Sequence, residues 1–326
     1  MLGDTLQKKI SMISRRIIRT KVLQILYAHV STPEKSIGSS ENELHFSIQK
    51  TYDLYHLLLA LPIELCEYAE RMIDMRKLKN FPTREELNPN LRFVSNRLIG
   101  KLKANKDLGA YVQKNKVNWS NSQELVKKIY QAMVESEVYK DYLAHSEDDF
   151  QIDRRFCEDF YAEILLKSEF VFNEFEEQSI YWNDDLDFVV SMVIKTLKKF
   201  KEESNVNDHL SSLYKDEEDQ EFTVKLFRKT LAKSDENRKT IETYTKNWDV
   251  DRVATMDILI MELALTELTE FPSVPIKVTL NEYIELAKYY STQRSSIFIN
   301  GVLDRITKDF REQGKIVKAG RGLLEG

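Results

Sequence analysis

Three arginines and a tyrosine near the N-terminus have the residue types and spacing best suited to chemistry. Residues 10–30 read ISMISRRIIRTKVLQILYAHV. Wound at about 100° per residue, Arg15, Arg16, Arg19 and Tyr27 fall within an arc of roughly 120°. Lys8 and Lys9 extend that face if the helix starts early, whereas Lys21 lies on the other side. Guanidinium groups fork onto phosphates and stack on bases, and a tyrosine beside them offers a stacking platform. Such a face binds a nucleic acid strand and makes or breaks no bond. A solvated basic face fits the same pattern.

Bond-making chemistry finds little support elsewhere. His29, His45, His56, His145 and His209 are scattered, with no cysteine or carboxylate at ligand spacing, which argues against zinc. There is no G-x-x-x-x-G-K-[ST] loop, no G-x-G-x-x-G turn and no serine in a nucleophile elbow. Residues 145–149 are acidic but lack the alternating Asp/Asn and glycine of a calcium loop, and read as a solvated turn. The expectation is a non-enzymatic protein with no catalytic residue, no cofactor and no metal. Cys66 and Cys157 make no disulfide framework, so a reduced cytoplasmic setting is expected. The first residues carry charge and lack the apolar region of a secretory signal, and the apolar run near 57–63 is broken by Pro62.

The net charge of −5 conceals an asymmetry. Lys8, Lys9, Arg15, Arg16, Arg19 and Lys21 face Asp4 alone within residues 1–30, while residues 216–221 read DEEDQE. A basic arm on an acidic body suits a polyanionic partner.

The elements that must position these residues are helical. Only 9 Gly and 6 Pro occur in 326 residues, too few for a turn-rich β fold or a glycine-lined nucleotide fold. Helical periodicity predicts helices over 10–30, 41–78, 91–103, 122–144, 152–175, 184–203, 221–245 and 249–269. Pro62 is expected to kink or divide the second of these. Residues 31–40 and 80–90 read as loops, 204–219 as an acidic link, and the stretch from 315 onward as a frayed tail. Phe156, Leu165, Ser168 and Trp182 recur in type as Phe222, Leu231, Ser234 and Trp248 at one constant offset, a repeat no stronger than chance similarity between helix pairs.

Residues 274–305 read as a helix pair. Thr279 and Glu282 have the spacing of a capping box. Leu280, Tyr283, Ile284, Ala287 and Tyr290 form one apolar face, and Ile299, Val302, Leu303, Ile306 and Phe310 a second. Asn300-Gly301 is also a hairpin signal, which leaves a strand–turn–strand open. In a helix Gly301 costs roughly 1 kcal/mol against alanine, which suggests a place where something packs close.

Several of these stretches resemble the NusB family of bacterial transcription antitermination factors. RRIIRTKVLQILY is similar to the end of that family's first helix. Trp248 and Arg252, then Asp257, Leu259, Ala264, Glu267 and Leu268, match its later helices, and VPIKVTLNEYIELAK followed by FINGVLD matches its last pair. The resemblance implies an all-α, NusB-like helical bundle domain interrupted by a large helical insert. On that reading residues 1–30 plus 220–312 form a discontinuous RNA-binding core, 31–219 an insert of open role, and 313–326 a flexible tail. It also implies binding of boxA-type ribosomal RNA leader sequence together with NusE, a small-subunit ribosomal protein, within the transcription elongation complex. RNA contacts carry over to Arg15, Arg16, Arg19, Gln24, Tyr27 and Phe298, and the NusE contact to Asp257. Phe298 equally suits the flank of the core stripe. The chain departs from the family at Glu262, Thr266 and Arg294, and in the length between its matched ends. A helical protein-binding scaffold without RNA affinity is the alternative.

Overall fold

The computed structural model describes residues 11–245 and 254–323. Lys8, Lys9, Trp248 and Arg252, named above, lie outside them. Among the described residues the secondary structure is helical throughout, with one isolated bridge between Ser11 and Ser212 and no strand.

In chain order the helices are α1 (Arg15–Val30), α2 (Ile37–Lys77), α3 (Arg84–Leu87), α4 (Arg97–Ala104), α5 (Lys106–Asn115), α6 (Gln123–Glu135), α7 (Glu137–Ala144) and α8 (Phe150–Asp159). A π-helical turn, Phe160–Leu165, follows, then α9 (Glu169–Gln178) and α10 (Leu186–Leu197). After a long link come α11 (Glu217–Ala232), α12 (Ser234–Tyr244), α13 (Thr255–Glu270), α14 (Ile276–Tyr290) and α15 (Gln293–Glu312).

The chain divides into two compact units. One comprises residues 1–12 and 49–213, the other 13–48 and 214–326. The unit that holds α1 reaches beyond the matched motifs at 30/31. Within it Arg228 forks onto Glu41 at 2.6 and 2.8 Å, and His29 Nδ1 lies 2.8 Å from Ser40 Oγ.

In that unit α13 is the central element, packed against α1, α11, α12, α14 and α15. Every residue from Asp257 to Leu268 is buried, because the helix is apolar on all sides and cannot face water on any of them. Two acids nonetheless sit inside it. Glu262 is 1% exposed; burial raises its carboxyl above the ordinary range, and Ser234 Oγ donates to it at 3.0 Å. Glu267 is treated below.

The helix pair α14–α15 is present, and the hairpin alternative is excluded because Asn300 and Gly301 lie inside α15. The expected capping box is not. Pro275 caps α14, placing Thr279 within the helix, where its hydroxyl donates to Glu267 at 2.9 Å. A capping box does form at Thr83–Glu86, at the start of α3. The tail is better held than its glycines suggest: Ala319 N–H donates to Pro272 O at 3.0 Å, Lys318 Nζ to Phe271 O at 3.1 Å, and Ile316 is buried.

In the other unit Pro62 fails to divide α2. Proline has no N–H to offer the carbonyl four residues back, which is Leu58 O. The hydroxyl of Tyr161, wholly buried in the π-helical turn, donates to that oxygen at 2.5 Å. Trp119 Nε1 takes the adjacent Leu57 O at 2.9 Å. A distant side chain, Tyr161, thus satisfies the carbonyl that proline strands. Ser136, by contrast, does divide the segment expected as one helix over 122–144: its hydroxyl accepts from Tyr139 N–H and starts α7.

Candidate nucleic-acid interface

The α1 face depends on what each arginine meets. Ile18, Val22, Leu23, Ile25 and Leu26 turn inward and are buried, which fixes the rotation of the helix. Arg15 and Arg16 then fall at the rim of the buried side, and Tyr27 points outward at 43% exposure.

Arg19 does not reach the surface. It sits three, four and seven residues before Val22, Leu23 and Leu26, so it shares their side of the helix and is 2% exposed. Its Nε and Nη2 each donate to Glu267 at 2.7 Å. Thr279 Oγ1 and Tyr283 Oη donate to the same carboxylate at 2.9 and 3.0 Å. Burial opposes the guanidinium charge, but Glu267 outweighs it and holds Arg19 well above its ordinary pKa. This group locks α1 to α13 and α14 and faces no external phosphate.

Arg15 is half-buried. Its Nε donates to Asp219 at 2.7 Å and its Nη2 to Glu218 at 2.8 Å, with the guanidinium 4.8 Å from the centre of the Phe222 ring. Burial works against its charge, yet the two acids raise its pKa overall. Arg16 is the most open of the three, its side chain 59% exposed. It forks onto Glu282 at 2.8 and 2.9 Å, and that contact raises its pKa.

Gln24 Nε2 donates to Tyr290 Oη at 2.9 Å, which ties α1 to the end of α14. Phe298 lies half-buried on α15, two residues before Asn300. Gly301 is exposed, and a Cβ built there would meet nothing within 4 Å. Among the described residues no other part of the chain packs close at Gly301. Asp257 is 4% exposed and accepts from the Ser291 hydroxyl, which joins the start of α13 to the end of α14. In this structure it faces inward rather than toward a partner surface.

Sequence reasoning placed the arginines on one helix and missed what holds them. Glu218, Asp219, Glu267 and Glu282 come from three other helices. One signal was available: a glutamate inside a helix as apolar as α13 must have a partner. Among the described residues no group of three or more His, Cys, Asp or Glu is placed to hold a metal ion, and no helix is long and apolar enough to cross a membrane.

Fold and face together define an all-helical protein whose arginine-bearing first helix is held by acids of three other helices, fully buried at Glu267 and open at Glu218. The NusB family model matches residues 186–308, from α10 into α15, leaving α1 outside the match. Transcription antitermination protein NusB of Salinibacter ruber is 44% identical over 112 residues, covering 34% of this chain and 70% of that protein. The NusB proteins of Acetivibrio thermocellus and Chloroherpeton thalassium are 32% and 35% identical, over 77% and 50% of their own lengths. No solved structure matches the chain. The chain belongs to the NusB family, and about two-thirds of it lies beyond what these relatives share.

Proposed function

We propose that this protein is an RNA-binding transcription antitermination factor. It engages boxA-type ribosomal RNA leader sequence together with NusE and supports ribosomal RNA transcription within the elongation complex. It performs no catalysis and works in the cytoplasm. The observation that carries this reading is the rim of α1, where Arg15, Arg16 and Tyr27 share one side of a helix, in a chain of the NusB family. Gln24 and Phe298 complete the RNA surface. Arg19 serves it by fixing the rotation of α1, and Asp257 belongs to the NusE side through the α13–α14 junction it holds together. The expected insert over 31–219, up to the start of the family match at residue 186, supplies a further helical module added to the family core.

The test is binding of a boxA-type RNA, by fluorescence anisotropy, with and without the NusE-type partner. Affinity should fall with added salt, because phosphate contacts release counterions. Substituting Arg16→Ala with Tyr27→Ala should weaken binding at least tenfold while helical content stays unchanged. Unaltered affinity would place the site elsewhere. The competing reading, a protein-binding scaffold, draws on the acids that already occupy all three arginines. It expects no RNA affinity at moderate salt, even with the partner present.

A further inference from the structure

The two arginines at the rim of α1 are each held by acids from elsewhere in the same unit. Arg15 meets Glu218 and Asp219 at the first turn of α11, where DEEDQE concentrates negative charge. Arg16 meets Glu282 of α14, with Glu285 one turn further along that helix and like-charged Arg19 beside it on α1. Asp219 and Glu282 are largely buried, their side chains 11% and 17% exposed, whereas Glu218 is 46% exposed and reaches over the rim.

We propose that Glu218 and Glu282 are specificity-determining residues, acting as built-in counterions with which an RNA phosphate must compete. The inference rests on the RNA-binding reading above. A phosphate entering at Arg15 or Arg16 finds the Nε–Nη2 edge of the guanidinium already engaged by carboxylates at 2.7 to 2.9 Å. To fork onto that edge it must displace a carboxylate, and at the other N–H groups it meets a charge the carboxylate already offsets, so phosphate attraction alone yields little net gain. An RNA that also stacks bases and hydrogen-bonds base edges recovers the loss, and one that offers only a backbone does not. The acids therefore suppress sequence-independent binding more than specific binding. Specificity is a difference of affinities, and a term that weakens the wrong ligand raises it.

Glutamine keeps the size and hydrogen-bonding reach of glutamate and removes its charge. The paired variant E218Q/E282Q should bind a shuffled RNA more tightly, by roughly two- to fivefold for each ion pair released. Its affinity for a boxA-type RNA should change less, so the ratio between the two RNAs falls. The control is E217Q, which removes one charge, against two in the paired variant, at the exposed start of α11 beside Glu218 without contacting either arginine. If E217Q narrows the ratio as much as the paired variant, long-range charge explains the effect and the counterion role is overturned. If wild type binds RNA and the paired variant keeps its discrimination, the inference fails while the RNA-binding reading stands. If neither wild type nor paired variant binds either RNA, with the NusE-type partner present, the RNA-binding reading fails and takes the inference with it.

Discussion

Arg19 and Glu267 meet through two parallel hydrogen bonds of 2.7 Å, with the arginine side chain 3% exposed and the glutamate side chain fully out of water. A buried pair of this kind sets geometry more than it adds stability, because desolvation offsets most of the Coulomb gain. Removing one partner is costly, since the other charge stays behind uncompensated. Arg19→Met should therefore destabilise the protein by about 3–5 kcal/mol in urea unfolding. Arg16→Met, at an exposed pair, should cost at most about 1 kcal/mol. Equal losses for the two variants would mean that Arg19 is not the pin that holds α1.

Pro62 and Tyr161 make a second testable pair. Tyr161→Phe leaves Leu58 O buried and unpaired and should cost about 1–3 kcal/mol. Pro62→Ala restores an N–H four residues on and supplies Leu58 O from within α2. In the Pro62→Ala background Tyr161→Phe should therefore cost much less. A double-mutant cycle measures the coupling directly, and additive costs would show that the tyrosine hydroxyl is not the proline's complement.

Much of this fold was legible in the sequence, for identifiable reasons. The helices follow from apolar periodicity, and α13 from the apolar run of residues 258–265, interrupted at Glu262. What local pattern could not supply was contact between distant residues. Pro62 reads as a breaker until Tyr161 is seen to compensate it. Thr279 and Glu282 have capping-box spacing, but Pro275 starts the helix earlier, leaving Thr279 for Glu267 and Glu282 for Arg16. The candidate site was half legible. A helical wheel groups Arg15, Arg16 and Arg19, yet the spacing of Arg19 to Val22, Leu23 and Leu26 already put it on the buried side. The acids that hold all three lie more than two hundred residues away in sequence, beyond any local pattern.

His56 gives a pH dependence with a definite sign. It is 2% exposed, its ring stacks on Tyr111 at 3.6 Å between centroids, and its Nδ1 donates to Tyr52 O at 2.9 Å. Burial lowers its pKa to about 4, with the Tyr52 carbonyl, Asp53 and Asp107 opposing that shift. The native state thus keeps the ring neutral where the unfolded chain, near the ordinary value of about 6.5, takes up a proton. The stabilisation is complete above about pH 6.5 and is lost as pH falls toward 4. Between pH 7 and pH 5 His56 should account for about 2 kcal/mol of lost stability. Replacing it with glutamine should flatten the urea-unfolding free energy over that interval. An unchanged slope would assign the pH dependence to other groups.

Gly301 separates stability from binding. It lies within α15, exposed, and among the described residues nothing outside its own stretch of helix comes within 4 Å of the position a Cβ would take. Alanine there relieves backbone entropy without a clash and should stabilise the protein by about 0.5–1 kcal/mol. No packing within the chain requires glycine at this point. If RNA approaches the helix backbone beside Phe298, an added methyl group stands in its way and affinity for a boxA-type RNA should fall severalfold. Gly301→Ala would then raise the thermal midpoint and weaken binding together, a combination that destabilisation cannot produce. A variant that is more stable and binds as well as wild type would remove the α15 face from the RNA site, leaving α1 to carry it.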